Sequence, residues 1–115
     1  MTTIYHNPRC SKSRETLALL TDRNTDLEVI KYLEDPLSKD TLRSLLEELG
    51  FASARDLMRT KEDIYKELGL AEVTDEDQLL EAMSQHPKLI ERPIVSHQGK
   101  AKIGRPPESV LALFE

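Results

Sequence analysis

The apolar pattern of this chain changes period repeatedly along its length, and that alternation limits the available folds more than any other feature. Thr2 to Tyr5 is a short β-branched and aromatic run, broken by His6-Asn7-Pro8, and reads as a strand. A helix is expected from about Ser11 to Arg23, with Leu17 and Leu20 on its buried side. Leu27 to Tyr32 then alternates again as a second strand, before Asp35-Pro36 interrupts it. The middle is helical. Leu42, Leu45, Leu46 and Leu49 recur at helical spacing between a Ser38 cap and Gly50. Shorter helical pieces follow at Ala54 to Met58 and at Glu62 to Leu68, the latter stopped by Gly69. Thr74 is placed to cap another helix, with Leu79, Leu80 and Met83 inward, that must end before Pro87. Pro93 to Ser96 and Lys100 to Ile103 restore the period of two as a hairpin around Gly99, and Pro106 suits the first turn of a final helix through Leu113. The order βαβ, helical insertion, ββα implies an α/β fold with one small mixed sheet, the insertion lying between the second and third strands at about residues 36 to 90. These leucines and methionines are core, with no chemistry assigned.

A length of 115 residues suits a single domain over residues 1–115. No apolar run approaches the roughly 20 residues of a membrane span, and Met1-Thr2-Thr3 lacks the layout of a secretion signal, so the expected location is cytoplasmic, with no membrane partner. The net charge of −5 argues against nucleic acid as a partner, because that affinity rests on basic residues meeting phosphates. The basic residues are also unevenly placed. Residues 1 to 14 hold Arg9, Lys12 and Arg14 with no acid, and residues 88 to 107 hold Lys88, Arg92, Lys100, Lys102 and Arg105 against Glu91 alone. If folding joins these stretches, an otherwise acidic protein presents one positive pocket for a small anion; the plainer alternative is scattered surface charge.

Cys10 is the sole cysteine, so no internal disulfide can form and any thiol chemistry needs a second thiol from outside. Many lone cysteines are simply small buried hydrophobes. This one lies where a loop passes into a helix, where unpaired N–H groups and the helix dipole lower a thiol pKa and also bind anions. His6, Arg9, Lys12 and Arg14 add positive or hydrogen-bonding groups nearby. Arg92-Pro93 and Arg105-Pro106 are a separate signal. A residue before proline is pushed out of the helical region, so both arginines should project from extended or turn segments beside the hairpin, and a guanidinium fork suits tetrahedral oxyanions. Either pair alone could arise by chance. His86 reads as a helix-end or surface group and His97 as solvated in the hairpin loop. Asp75-Glu76-Asp77 falls in a helix's first turn, where the dipole accounts for it, and no metal site is expected.

The run His6-Asn7-Pro8-Arg9-Cys10-Ser11-Lys12-Ser13-Arg14, followed in order by Leu57-Met58-Arg59, Glu67-Leu68-Gly69-Leu70, His86-Pro87, Glu91-Arg92-Pro93-Ile94-Val95 and Gly104-Arg105-Pro106, resembles the glutaredoxin-dependent arsenate reductase family over nearly the whole chain. The stretch Arg9-Cys10-Ser11-Lys12-Ser13, and an end soon after the final helix, resemble a short paralogous branch more than the resistance-plasmid type. The resemblance implies a thioredoxin-like fold with a helical insertion, Cys10 as nucleophile, His6 as its assistant, Arg59, Arg92 and Arg105 as oxyanion-binding residues, and a cis peptide before Pro93. It also implies a mechanism. The Cys10 thiolate attacks arsenic(V), displacing oxygen and leaving a covalent sulfur–arsenic adduct. Glutathione, a co-substrate and not a bound cofactor, then attacks; glutaredoxin resolves the mixed species, and arsenite departs. A single cysteine fits this scheme and disfavours a relay of internal thiols.

Two other readings remain open at this level. A related branch of the same fold contains regulators that bind RNA polymerase, many of which sense oxidation with Cys-x-x-Cys, where this chain has Cys10-x-x-Ser13. A general glutathione-dependent oxidoreductase acting on disulfides is the other.

Overall fold

The computed structural model describes residues 2–23 and 26–114. They fall into two compact units: residues up to Asp35 together with those from Arg92 onward, and Pro36–Glu91.

The first unit is built on four strands, β1 (Thr2–Tyr5), β2 (Leu27–Ile30), β3 (Ile94–His97) and β4 (Lys100–Ile103), in the order β2-β1-β3-β4. β1 runs parallel to β2 and antiparallel to β3, and β3 is antiparallel to β4. Helix α1 (Ser11–Asp22) makes the crossover between the parallel pair, as a parallel connection requires. This mixed sheet with its βαβ and ββα halves is the thioredoxin-like arrangement. Ile4, Leu20, Val95 and Val110 are fully buried together, bringing β1, α1, β3 and the C-terminal segment onto one core.

Several sequence expectations shift in detail. β2 stops at Ile30, because the N–H groups of Glu34 and Asp35 turn back onto the Lys31 carbonyl at 3.0 and 2.9 Å. β3 is displaced by one residue, Ile94–His97, and joins β4 through Gln98 and Gly99 alone. Both carry positive φ, 51° and 81°, the backbone that matches a two-residue hairpin to strand twist. His97 is therefore a strand residue and not a solvated loop residue. Its Nδ1 lies 2.7 Å from Thr2 Oγ1, and its ring packs against Phe114 at 4.5 Å. The final segment, Pro107–Phe114, forms a 3-10 helix instead of an α-helix, opened by the Ser109 N–H bonding the Pro106 carbonyl at 3.0 Å. Both Arg92-Pro93 and Arg105-Pro106 are cis.

In the second unit, α2 (Lys39–Leu49) packs on α4 (Glu76–Gln85). Leu42 and Leu45 from α2, with Leu79, Leu80 and Met83 from α4, are almost wholly shielded from water. Ser38 caps α2 by accepting from the Thr41 N–H at 3.1 Å, and Gly50 ends it with φ 75°. For α4 the cap is Asp75, which accepts from Asp77 N–H at 2.9 Å, and not Thr74. A carboxylate there suits the positive end of the helix better than a hydroxyl. His86 closes α4, its N–H reaching the Ala82 carbonyl at 2.8 Å. Between these helices lie a 3-10 turn at Ala54–Leu57 and the short α3 (Asp63–Glu67), which Gly69 follows at φ 63°.

Candidate active site

Beyond Tyr5 the chain continues one step along the sheet, with the His6 N–H donating to the Ile30 carbonyl at 2.8 Å, and then Pro8 has no N–H to extend the ladder. The loop folds on Asn7 instead. Its carbonyl accepts from Cys10 N–H and its Oδ1 accepts from Arg9 N–H, each at 3.0 Å. Cys10 emerges in extended conformation, φ −98° and ψ 123°, as the residue that caps α1, and the first turn of that helix carries no acid. The sulfur thus occupies the place that a capping hydroxyl or carboxylate holds in other helices.

Cys10 is buried, which by itself raises a thiol pKa. The net shift is nevertheless downward. Against desolvation, the largest influence, stand the backbone N–H of Ser13, the charge of Arg92, the backbone N–H of Lys12 and the charge of Arg105. The sulfur does not meet the strict geometry of a side-chain cap bond, but those two N–H groups lie near enough to favour its anion. Arg105 Nη2 stands 3.7 Å from the sulfur, while Arg105 Nε donates to the Arg92 carbonyl at 2.8 Å. One arginine therefore touches the thiol and braces the other arginine's backbone. Arg92 carries its own charge inward, with Nε and Nη1 shielded from solvent.

His6 is tied to the same turn of α1 through Ser13. His6 Nδ1 and Ser13 Oγ are 2.6 Å apart, and Ser13 Oγ also accepts from Asn7 N–H at 3.0 Å. The bond fixes the imidazole plane whichever nitrogen holds the proton. Burial first, then the charges of Lys31 and Arg14, push the His6 pKa below its ordinary 6.5, so the ring is neutral at neutral pH.

Arg59 belongs to the second unit, just past the bridge that pairs Met58 with Ile90. Its N–H donates to the Leu89 carbonyl at 2.7 Å, and its half-buried guanidinium pairs closely with Glu62 and, at 3.9 Å, with Glu91. Of the five residues singled out from sequence, the structure gathers Cys10, His6, Arg92 and Arg105 within the sheet-bearing unit, and it sets Arg59 between two carboxylates of the helical one. Among the described residues no three His, Cys, Asp or Glu side chains are grouped to hold a metal, and no helix is long and apolar enough to cross a membrane.

Sequence reasoning missed the parts played by the Ser13 hydroxyl, the Asn7 carbonyl and amide, and Gly104. Ser13 is three residues beyond the cap, the position whose N–H a capping group contacts, and that spacing was a usable signal. Gly104 was not so accessible. A Cβ there would lie 2.5 Å from Thr16 Oγ1 and 2.9 Å from Pro93 Cγ, an approach set by the fold alone. That closeness lets the Gly104 N–H reach the Pro93 carbonyl at 2.9 Å and sets Arg105 at the edge of the sulfur.

The comparisons with known proteins agree with this fold. Over 111 residues the chain is 60% identical to the Escherichia coli protein YfgD, covering 96% of this chain and 93% of that protein. It is 52% identical over 112 residues to a Neisseria meningitidis protein named arsenate reductase, covering 96% of each. A solved structure of an arsenate reductase from Vibrio cholerae superposes with a TM-score of 0.94 at 53% identity, over 97% of this chain and 96% of that one. The model of the ArsC family matches residues 5–113, and this chain belongs to the ArsC family.

Proposed function

We propose that this protein is an arsenate reductase that uses Cys10 as nucleophile and takes its remaining electrons from glutathione and glutaredoxin. The observation carrying this reading is the thiol at the α1 cap, with Arg105 at 3.7 Å and a pKa held down against burial. Names borne by the relatives support the substrate.

In this reading arsenate enters over the first turn of α1, where backbone N–H groups and the guanidinium groups of Arg92 and Arg105 meet its oxygens. The thiolate bonds to arsenic, and one oxygen leaves as water after protonation, giving a sulfur–arsenic(V) adduct. Glutathione's thiol takes up the second step. Two electrons, one from each sulfur, reduce arsenic to the trivalent state; arsenite leaves, and Cys10 remains in a mixed disulfide with glutathione. Glutaredoxin removes that glutathione and restores the thiolate. Neutral His6, oriented by Ser13, is the group to assist proton movement at the site. By resemblance, Arg59 is the third oxyanion-binding arginine of this reading. A glutathione-rich compartment such as the cytoplasm suits the scheme.

The test is NADPH consumption on adding arsenate, coupled through glutathione reductase, glutathione and glutaredoxin. Activity is expected with the parent and none above background with Cys10→Ser. Equal rates for both proteins would remove arsenate reduction.

A further inference from the structure

The scheme above needs a place for the second thiol. Two cavities flank the start of α1, and their linings differ in charge. One, of about 530 Å³, is walled by Lys12, Glu15 and Glu108 among others, and its only cation is ion-paired with Glu15 at 3.8 Å. The other, of about 280 Å³, is lined by Asn7, Pro8, Arg9, Lys31, Leu33 and Glu34. It is small, just below the roughly 300 to 1,000 Å³ usual for small-molecule sites.

We propose that the cavity between Asn7-Pro8-Arg9 and Lys31-Leu33-Glu34 is the glutathione site of this enzyme, an inference that rests on the glutathione-dependent reading of its function. At neutral pH glutathione carries two carboxylates and one ammonium. The cavity offers two cations, Arg9 and Lys31, and one carboxylate, Glu34, the same three charges with signs reversed. Asn7 supplies a side-chain amide for the peptide groups, and Pro8 with the exposed Leu33 supplies apolar wall. Few free metabolites with a thiol match that arrangement, whereas arsenate, a bare oxyanion, would gain nothing from Glu34.

The position is also right. Arg9 precedes Cys10, so their Cα atoms are about 3.8 Å apart, and a tripeptide lying along the Asn7–Arg9 wall brings its central cysteine to the nucleophile. Lys31 follows Ile30, whose carbonyl accepts the His6 N–H at 2.8 Å, so the far wall is fixed to the same loop. The cations of the cavity are not those that hold the sulfur ionised, which are Arg92 and Arg105. Binding glutathione and activating the thiolate are therefore separable.

The test uses oxidised glutathione on the intact protein and needs no arsenate. The Cys10 thiolate attacks one sulfur of the disulfide; that bond breaks, Cys10 becomes linked to one glutathione, and the other leaves as a thiolate that takes up a proton. The rate is followed by mass spectrometry beside that of bis(2-hydroxyethyl) disulfide, an uncharged reagent doing the same chemistry. Arg9→Gln and Lys31→Gln should each slow glutathionylation about threefold, and together about tenfold, while the neutral disulfide reacts within about twofold of the parent rate. Glu34→Gln should also slow it. If both disulfides slow equally, the substitutions act on the thiolate and the site assignment is wrong. If Glu34→Gln accelerates the reaction, the cations merely steer anions, and the assignment is equally wrong. Loss of arsenate turnover with this charge dependence intact would sink the reductase reading and leave the cavity assigned.

Discussion

The two units each contain arginines set to different uses. In the helical unit Arg55 is enclosed by its own neighbours: Nη1 donates to Tyr65 Oη and to the Leu70 carbonyl at 3.0 Å, and Nη2 donates to the Val73 carbonyl. Arg43 is held between Asp40 and Asp77, each at 3.2 Å, and Arg59 between Glu62 and Glu91. In the sheet-bearing unit Arg105 reaches a sulfur, and the charge of Arg92 bears on the same atom. A guanidinium surrounded by carbonyls works as a strut that joins loops. One aimed at an ionisable thiol sets chemistry instead, because its charge favours the anion. Arg59 has a strut's contacts, with Glu62 and Glu91, and its binding role is a proposal.

The sharpest way to break the contrast is to remove one arginine of each kind. Arg55→Ala strands two carbonyls and a phenol in partly buried surroundings, and at roughly 1 to 3 kcal/mol for each group left unsatisfied the expected cost is about 3 kcal/mol or more. Urea unfolding should show that loss, while the pH midpoint of Cys10 alkylation stays unchanged. Arg105→Ala should do the reverse. Unfolding moves by less than about 1 kcal/mol, as at other exposed positions, but the alkylation midpoint rises and arsenate turnover falls roughly 10- to 100-fold, the worth of a charge-assisted contact. Equal stability losses from the two variants would dissolve the distinction.

Much of this was legible from residues alone, and the reason is local. Strand, loop and helix at the N-terminus follow from β-branched residues, Pro8 and helical spacing within a few positions of each other, and β1, α1 and α2 lie where the pattern put them. Cys10 was legible for the same reason, since its setting at a cap is local. Some misses were local, such as the α4 cap at Asp75 and the early end of β2, but others were set by distant contacts. His97 looks like a loop residue until Thr2 and Phe114, far away in sequence, are brought to it. Strand order likewise depends on β1 sitting between β2 and β3, which no period reveals. Arg59 was identified through family likeness, and its carboxylate partners at Glu62 and Glu91 were not foreseen.

Gly104 tests whether the sulfur's environment depends on backbone approach as well as on charge. Thr16 Oγ1, the atom a new Cβ would meet, is itself bonded to the Lys12 carbonyl at 2.8 Å and fully buried, so it cannot swing aside freely. Gly104→Ala should therefore cost about 1 to 3 kcal/mol, as overpacking does, and should raise the Cys10 midpoint by displacing Arg105. Adding Thr16→Ala removes one of the two clashes. It should recover part of the stability, and no recovery would mean that the Pro93 ring alone sets the limit.

The smallest effect is expected from pH. Folding depresses the His6 pKa below 6.5, so in acid the unfolded chain binds a proton that the folded chain resists, and stability falls as pH drops from 6.5 through the folded value. Cys10 has the same sign in a different window: its depressed pKa adds stability that is complete above 9.0 and is lost as pH falls through the folded value. Thermal melts from pH 7.5 to 5 in a Cys10→Ser background isolate the histidine. There His6→Asn, which keeps a polar partner for Ser13 but cannot titrate, should lose less stability on acidification than its His6 counterpart. Identical slopes would mean that His6 takes up its proton as readily in the folded chain as in the unfolded one, and the depressed pKa would have to be given up.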